Sequence, residues 1–371
     1  MIRFLLSFIA VYSLMHALFY LRVRVLLPDR WPWHLLMTIF LVLMMLAPIG
    51  ARLLERSGHH DFARISAYLG YSWMGFLFYA FLLSLMLVIT GLVFKLINIA
   101  TAASLPVFTG RGGAFCIIFV SMAIITYGYF EGRSLKVERL TVATSKLPQG
   151  IDRIRVVQIS DIHLGLLVGD GTLSGIIDKV KAEEPDIVVS TGDLVDGDMD
   201  RIGNLPEIFS ALEPKLGKYA VTGNHEVYVG LAAALKAEQE FGFSVLRGEA
   251  RVVGRAINII GVDDPATGIA IDESALLAKE QNGLFTLLLK HRPEVLPESL
   301  GLFDLQLSGQ THYGQLFPFR VFSRLVYPYQ NGPYLLEKGS VLYTSRGSAT
   351  WGPPFRVLAP PEITVIDIVR R

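Results

Sequence analysis

The chain has one cysteine, Cys116, in 371 residues, so it holds no disulfide framework and no cysteine cage for zinc. Charged residues make up only 18%, and 34 Lys and Arg nearly balance 33 Asp and Glu. No G-x-x-x-x-G-K-[ST] loop, no Gly-rich dinucleotide fingerprint after a strand and no G-x-S-x-G elbow occurs. These absences set aside P-loop nucleotide hydrolysis, dinucleotide-dependent redox chemistry and the serine-hydrolase mechanism. Histidine is scarce too: of eight, only four lie beyond residue 60.

What the chain has in excess is apolar sequence, at 52%, and it is unevenly placed. Residues 1–130 carry nine Lys and Arg against three Asp and Glu, whereas the remainder carries 25 against 30. The near-neutral total therefore hides a basic, apolar piece and an acidic one. The first holds four long apolar runs, near Phe4 to Tyr20, Trp33 to Pro48, Ala67 to Phe94 and Ala114 to Phe130. About 18 or more apolar residues span the hydrocarbon of a bilayer as a helix, so the reading is an all-α region of about four transmembrane helices. Trp31, Trp33, Tyr127 and Tyr129 fall where amphipathic rings favour the headgroup level, and Arg22, Arg24, Arg52, Arg56 and Lys95 flank the runs. A cleaved signal peptide is the alternative for the first run, but no small-residue cleavage pattern follows and further spans come after it. His16, inside that run, reads as a polar group satisfied between helices. Four spans put both termini on one side with eight flanking cations, against five on the other, which favours a cell-membrane protein with the acidic piece on the cytoplasmic side.

Residues 131–152 read as a linker, and from 153 to 371 the pattern changes to short β-branched runs between turn residues and amphipathic stretches. Ile154 to Ile159, Ile187 to Thr191, Tyr219 to Val221, Ile257 to Val262 and Phe285 to Leu289 read as buried strands. Thr172 to Glu184 places Leu173, Ile176, Ile177 and Val180 at helical spacing, and Leu231 to Phe241 is rich in helix formers. Alternating strands and helices predict an α/β layered domain with ligands beyond the carboxyl ends of the strands. Candidate ligands lie there: Asp161 and His163 after the first strand, Asp193 after the second, Asn224 after the third and His291 after the fifth. Hard oxygen and imidazole donors in this number suit a pair of divalent cations.

These clusters, Asp161-Ile162-His163, Gly192-Asp193 with Asp196, Gly223-Asn224-His225-Glu226, His291 and Gly309-Gln310-Thr311-His312, resemble in order the five blocks of the calcineurin-like metallophosphoesterases. Ile159 to Gly165, Gly261 to Pro265, and Ser345-Arg346-Gly347 with Gly352-Pro353-Pro354 look like the membrane-attached bacterial branch. The resemblance covers about residues 150 to 371 and implies a layered αββα sandwich. It further implies that Asp161, His163 and His312 bind one metal, that Asn224, His291 and Gln310 serve the second, and that Asp193 bridges both. A hydroxide between the metals would attack phosphorus in line. His225 would face the leaving oxygen as general acid or charge stabiliser, with Asp196 setting its tautomer. Manganese leads among the metals implied, with Mg, Zn or Fe as alternatives.

Gln310 departs from the family's usual histidine; its neutral amide oxygen suits Mg or Mn better than zinc or iron. Tyr313 stands where the family usually has glycine and either narrows the cleft or packs. Taken alone, Asp196 also reads as a turn or capping residue, Asn224 as a turn residue and Glu226 as a capping or supporting one. Asp263 and Asp264 read as a turn before Pro265, with a place at the border of the cleft as the alternative. The aromatic stretch from Leu316 to Tyr329 is either a hydrophobic rim for a membrane-embedded substrate or the packing of a hairpin region, and Arg320 and Arg324 within it either reach a headgroup or are simply solvated.

The reading is a membrane-anchored phosphoesterase acting on a phosphate ester or pyrophosphate. The resembled branch implies a lipid-linked substrate such as UDP-diacylglucosamine in lipid A synthesis. A non-catalytic sensor or scaffold that binds a phosphorylated ligand is the alternative. The partners expected are the lipid bilayer and a phosphorylated, lipidic substrate; the sequence is silent on oligomeric state, and nucleic acid is disfavoured because the acidic domain has no basic stripe.

Overall fold

The structure, a computed structural model, describes residues 2–101, 110–197 and 203–371; the side chains of Arg3 and Phe4, at the start of the first apolar run, lie outside the described part. Two compact units emerge, parting near residue 129. The first is four helices, α1 (Ile2–Val23), α2 (Trp31–Arg56), α3 (His60–Thr101) and α4 (Gly110–Glu131), each long and apolar enough to cross a membrane. At 42 residues α3 is about 60 Å long, twice what the hydrocarbon requires. Small residues let α2 and α3 approach: a Cβ on Gly70 would stand 2.9 Å from Ala47 and Pro48, and Ser66 Oγ donates to the Ala47 carbonyl at 2.9 Å. His16 is satisfied between helices as expected, donating from Nδ1 to the Tyr12 carbonyl at 2.8 Å and accepting the Trp73 indole N–H at Nε2 at 2.9 Å.

The second unit is two stacked sheets of six strands. One has the order β1 (Lys136–Thr144), β12 (Glu362–Arg370), β2 (Arg153–Ile159), β3 (Ile187–Ser190), β4 (Lys218–Ala220), β5 (Ser244–Val245). The other runs β10 (Gly332–Leu335), β11 (Val341–Thr344), β9 (Leu305–Ser308), β8 (Phe285–Lys290), β7 (Ile257–Val262), β6 (Glu249–Val253). Helices α5 (Asp170–Ala182), α6 (Leu205–Ser210), α7 (Asn224–Val229), α8 (Leu231–Glu240), α9 (Glu273–Lys279) and α10 (Phe319–Ser323) complete it.

The period-2 alternation of each strand builds the layers. Ile154 and Val156 of β2 face inward to meet Ile257 and Ile259 of β7 and Phe285, Leu287 and Leu289 of β8 between the sheets. Val157 and Ile159 point the other way, to Leu173, Ile176, Ile177 and Val180 of α5, the four positions whose helical spacing predicted that helix. On the far side Ile260, Val262 and Leu288 pack with Leu277 of α9. The result is the expected αββα sandwich.

One part of the expectation fails. Residues 131–152 are not simply a linker, because β1 lies within them and pairs in parallel with β12 from Lys136↔Glu362 to Thr144↔Arg370. Its burial alternates weakly, the signature of an edge strand, so composition gave little sign of it. Across the neighbouring pair, Arg155 and Asp367 stand opposite each other and join in a two-pronged ion pair, Nε to Oδ1 at 2.8 Å and Nη2 to Oδ2 at 2.9 Å. That hydrogen bond and the guanidinium charge hold the Asp367 carboxyl below its usual range. A depressed carboxylate stabilises the fold above its unfolded pKa and ceases to do so as pH falls through the folded value. Asp367→Asn should therefore destabilise the full-length protein by about 1 kcal/mol at pH 7, measured by denaturant unfolding in detergent. The difference should shrink as pH falls below about 4 and vanish only below the depressed folded value.

Candidate metal centre

Five loops leave the carboxyl ends of β2, β3, β4, β8 and β9; β2, β3 and β4 are contiguous in one sheet, and β8 and β9 are neighbours in the other. Stacking the sheets brings their ends to one place. There the backbone is forced: Asp161, His163, Asp193, Gln310 and His312 all have φ between 46° and 71°, a left-handed conformation that costs about 1–3 kcal/mol per non-glycine residue. Close approach of backbone to side chain forces glycine as well. A Cβ on Gly223 would stand 2.2 Å from Asp193 Oδ1, and one on Gly309 would meet Asp161 Oδ2 at the same distance.

The side chains converge. His163 Nε2 and His312 Nε2 lie 3.1 Å apart, with Asp161 Oδ1 3.4 Å from the latter. Asp193 Oδ2 is 3.2 Å from His291 Nε2 and 3.8 Å from His163 Nε2. Ligand atoms in each of three trios, Asp161–His163–His312, His163–Asp193–His225 and Asp161–Asp193–His291, fall within 4.8 Å of one another. Asp161, His163 and Asp193 each belong to two trios.

The donor set fits divalent cations. His291 donates from Nδ1 to the Thr191 carbonyl at 2.8 Å, which turns Nε2 toward Asp193, where it makes no hydrogen bond. The Asn224 amide oxygen is also buried without a partner. Burial holds His163 down to about 4 and His312 well below the ordinary imidazole range, so both are neutral donors. Desolvation lifts Asp161 to about 6. For His291 the cost of burial is overcome by the Asp193 charge, raising it to about 10, while Asp193 is held below the usual carboxylate range. Gln310 presents its backbone N–H to Asp161 Oδ1 at 2.9 Å, and its half-buried side chain lies in the same loop as His312.

His225 sits beside this group, its Nδ1 2.8 Å from Asp196 Oδ1 and its backbone N–H on Asp193 Oδ1 at 2.8 Å. Burial lowers its imidazole, but the Asp196 hydrogen bond and the charges of Asp193, Asp196 and Glu226 prevail and raise it. The imidazole can hold a proton on the face away from Asp196.

Two residues matter more than their sequence context suggested. Glu226, read as capping or supporting, ties two ligand loops together: its carboxylate accepts the N–H groups of Asp193 at 3.0 Å, Leu194 at 2.8 Å and Gly223 at 2.6 Å. Arg356, unnoticed in the sequence, is fully buried. It donates to the carbonyls of Arg346, Ala349 and Ala359 and reaches His312 Nδ1 at 3.1 Å. A lone arginine after Pro353-Pro354-Phe355 carries no signal of burial; only the carbonyl-rich loop folded around it does. Asp263 and Asp264 prove to be structural: Asp264 caps a turn at Ala266 and pairs with Arg292, and Asp263 pairs with Arg247.

Glu226→Gln keeps the volume but loses the charge that collects these N–H groups, and should weaken Mn binding about 10- to 100-fold, as read by calorimetry on the metal-stripped protein.

A model of the calcineurin-like phosphoesterases matches residues 154–312, from β2 to His312. The chain is 37% identical over 258 residues to an uncharacterised metallophosphoesterase of Aquifex aeolicus, covering 68% of this chain and 98% of that one. It is 30% identical to a transmembrane protein with a metallophosphoesterase domain from Danio rerio, covering 67% of this chain and 61% of the other. With a Helicobacter pylori metallophosphoesterase it shares 31%, covering 67% and 69%. The chain belongs to the calcineurin-like metallophosphoesterase family of metal-dependent phosphoric ester hydrolases.

Proposed function

We propose that the chain is a membrane-anchored phosphoesterase that cleaves a phosphate ester or pyrophosphate on two divalent cations. Asp161, His163 and His312 hold one, Asn224, His291 and Gln310 serve the other, and Asp193 is shared. The observation that carries this reading is the set of three overlapping trios, in which Asp161, His163 and Asp193 are each shared by two. Bound cations supply Lewis acidity and bring the ionisation of water toward neutral pH. The chain's own contribution is geometric and electrostatic. The left-handed loops pre-set the donors, Glu226 keeps two loops in register, and His225, oriented by Asp196, holds a proton for the leaving oxygen. The amide of Gln310, a hard neutral donor, favours Mn or Mg at its position over softer metals.

The substrate we propose is a lipid-linked phosphate. Support comes from the stretch after His312, where Phe319, Phe322, Leu325 and Val326 are exposed on and beside α10, Leu325 at 84%. A water-facing apolar patch of this kind is costly unless something apolar covers it, and the same chain carries four helices long enough to cross a bilayer. Arg320 lies over the Tyr313 and Phe317 rings at 5.0 and 4.7 Å, and the exposed Arg324 adds a cation suited to a headgroup. The flanking-cation count supports a cytoplasmic position for the phosphoesterase unit.

Asp193→Asn should lower Mn-dependent turnover of a generic phosphodiester by about a thousandfold or more; an unchanged rate would remove Asp193 from the reaction, and an inert wild type under every metal would leave a binding scaffold instead. Replacing Phe322 and Leu325 together by Asp should depress hydrolysis of phosphatidic acid in mixed micelles about tenfold more than hydrolysis of a water-soluble ester. Equal effects on both substrates would count against the lipid-linked reading.

A further inference from the structure

The residue read as proton donor to the leaving group lies between two exposed rings. Trp351 is 50% exposed and its indole stands 5.4 Å from the His225 ring at an interplanar angle of 77°; it is also 6.3 Å from His163. Tyr228, 70% exposed, meets His225 from α7 at 5.3 Å and 64°. Neither ring is buried by the core, so packing of the fold does not explain them.

The backbone that carries the indole is nevertheless held in place. Gln315, buried, grips the Trp351 backbone with both ends of its amide: Nε2 donates to the Trp351 carbonyl at 2.8 Å, and the Trp351 N–H donates to Oε1 at 3.0 Å. Gln315 itself sits at φ 47°, in the strained turn that follows His312. Backbone strain and a buried amide are therefore spent on positioning a half-exposed aromatic side chain beside the leaving-group histidine. A π-face fixed in advance binds a flat ring without the entropy of ordering a side chain.

We infer that Trp351, together with Tyr228, is a specificity-determining platform that stacks a planar ring carried by the leaving group, a nucleobase or an aryl group. This rests on the assignment of His225 to the leaving oxygen, since a ring stacked beside that imidazole belongs to the group it protonates. An acidic domain without a basic stripe restricts the ring-bearing substrate to a small molecule rather than a polynucleotide. It is compatible with a lipid on the opposite side of the phosphorus.

The test compares wild type, Trp351→Ala and Trp351→Phe in full-length, Mn-loaded protein. Phenyl, uridine and ethyl esters of phosphate are each supplied as monoester and as methyl diester. Because each variant is compared with wild type on the same ester, differences in leaving-group acidity cancel. The expected result is a KM for phenyl and uridine esters raised about tenfold more by Trp351→Ala than that for the ethyl ester, with Trp351→Phe restoring most of the difference and kcat less affected than KM. A phenyl-only effect assigns the platform to aryl groups, and an effect on uridine as well to nucleobases. Equal losses on all esters, or none, would overturn the inference. Indole emission supplies a readout independent of turnover: uridine monophosphate or phenyl phosphate should quench it in wild type, ethyl phosphate should not, and Trp351→Phe should abolish the response. Ring-dependent quenching without turnover sustains the platform while refuting the hydrolase reading, and no ring-dependent quenching refutes the platform.

Discussion

Asp193 is the group on which the centre depends. One carboxylate oxygen takes the backbone N–H of His225, the other faces the Nε2 atoms of His291 and His163, and its own N–H is held by Glu226. A fully buried carboxylate is expensive unless charge of the opposite sign surrounds it. The remainder of the site reads as the answer to that requirement. Gly223 has no Cβ because Asp193 Oδ1 occupies the space, three imidazoles crowd round, and three of the five loops accept left-handed backbone at Asp161, His163, Asp193, Gln310 and His312.

Rigidity at the centre and exposure at its edge go together. Behind the ligands runs a chain of hydrogen bonds: Gln158 donates to Thr191 and the Ser308 carbonyl, and Thr191 donates to Ser160, whose hydroxyl donates to Asp161. Such a connected network resists rearrangement. Beyond it lie Trp351, Tyr228 and the α10 segment, whose rings and aliphatic side chains face water. The chemistry is thus built on locked elements, and the groups suited to selecting a substrate stand at the periphery where variation costs the fold little.

Several parts of this arrangement were legible in the chain. The five strands read from β-branched runs are there within a residue or two; β3, β7 and β8 are buried on both faces and so read as continuous apolar sequence. Helix α5 was equally plain from its spacing. Edge and return strands were not: β1 lies in sequence that looked like a linker, and β5, β6 and β10 are short or exposed on alternate positions, so their identity comes from partners distant in the chain. The conformation of the Leu316 to Tyr329 stretch was equally open, since an apolar run alone does not distinguish packing from exposure.

By itself, the sequence determined the types of donor and their order, two chemically distinct pieces, four apolar helices and a departure at Gln310, since these are properties of residue identity and local periodicity. Only the tertiary structure decided which atoms face one another. The Glu226 clamp, the burial of Arg356 among carbonyls, the grip of Gln315 on Trp351 and the rings flanking His225 all join residues separated along the chain. Distance in space between such groups is set by how two sheets stack, and no local pattern of residues encodes it.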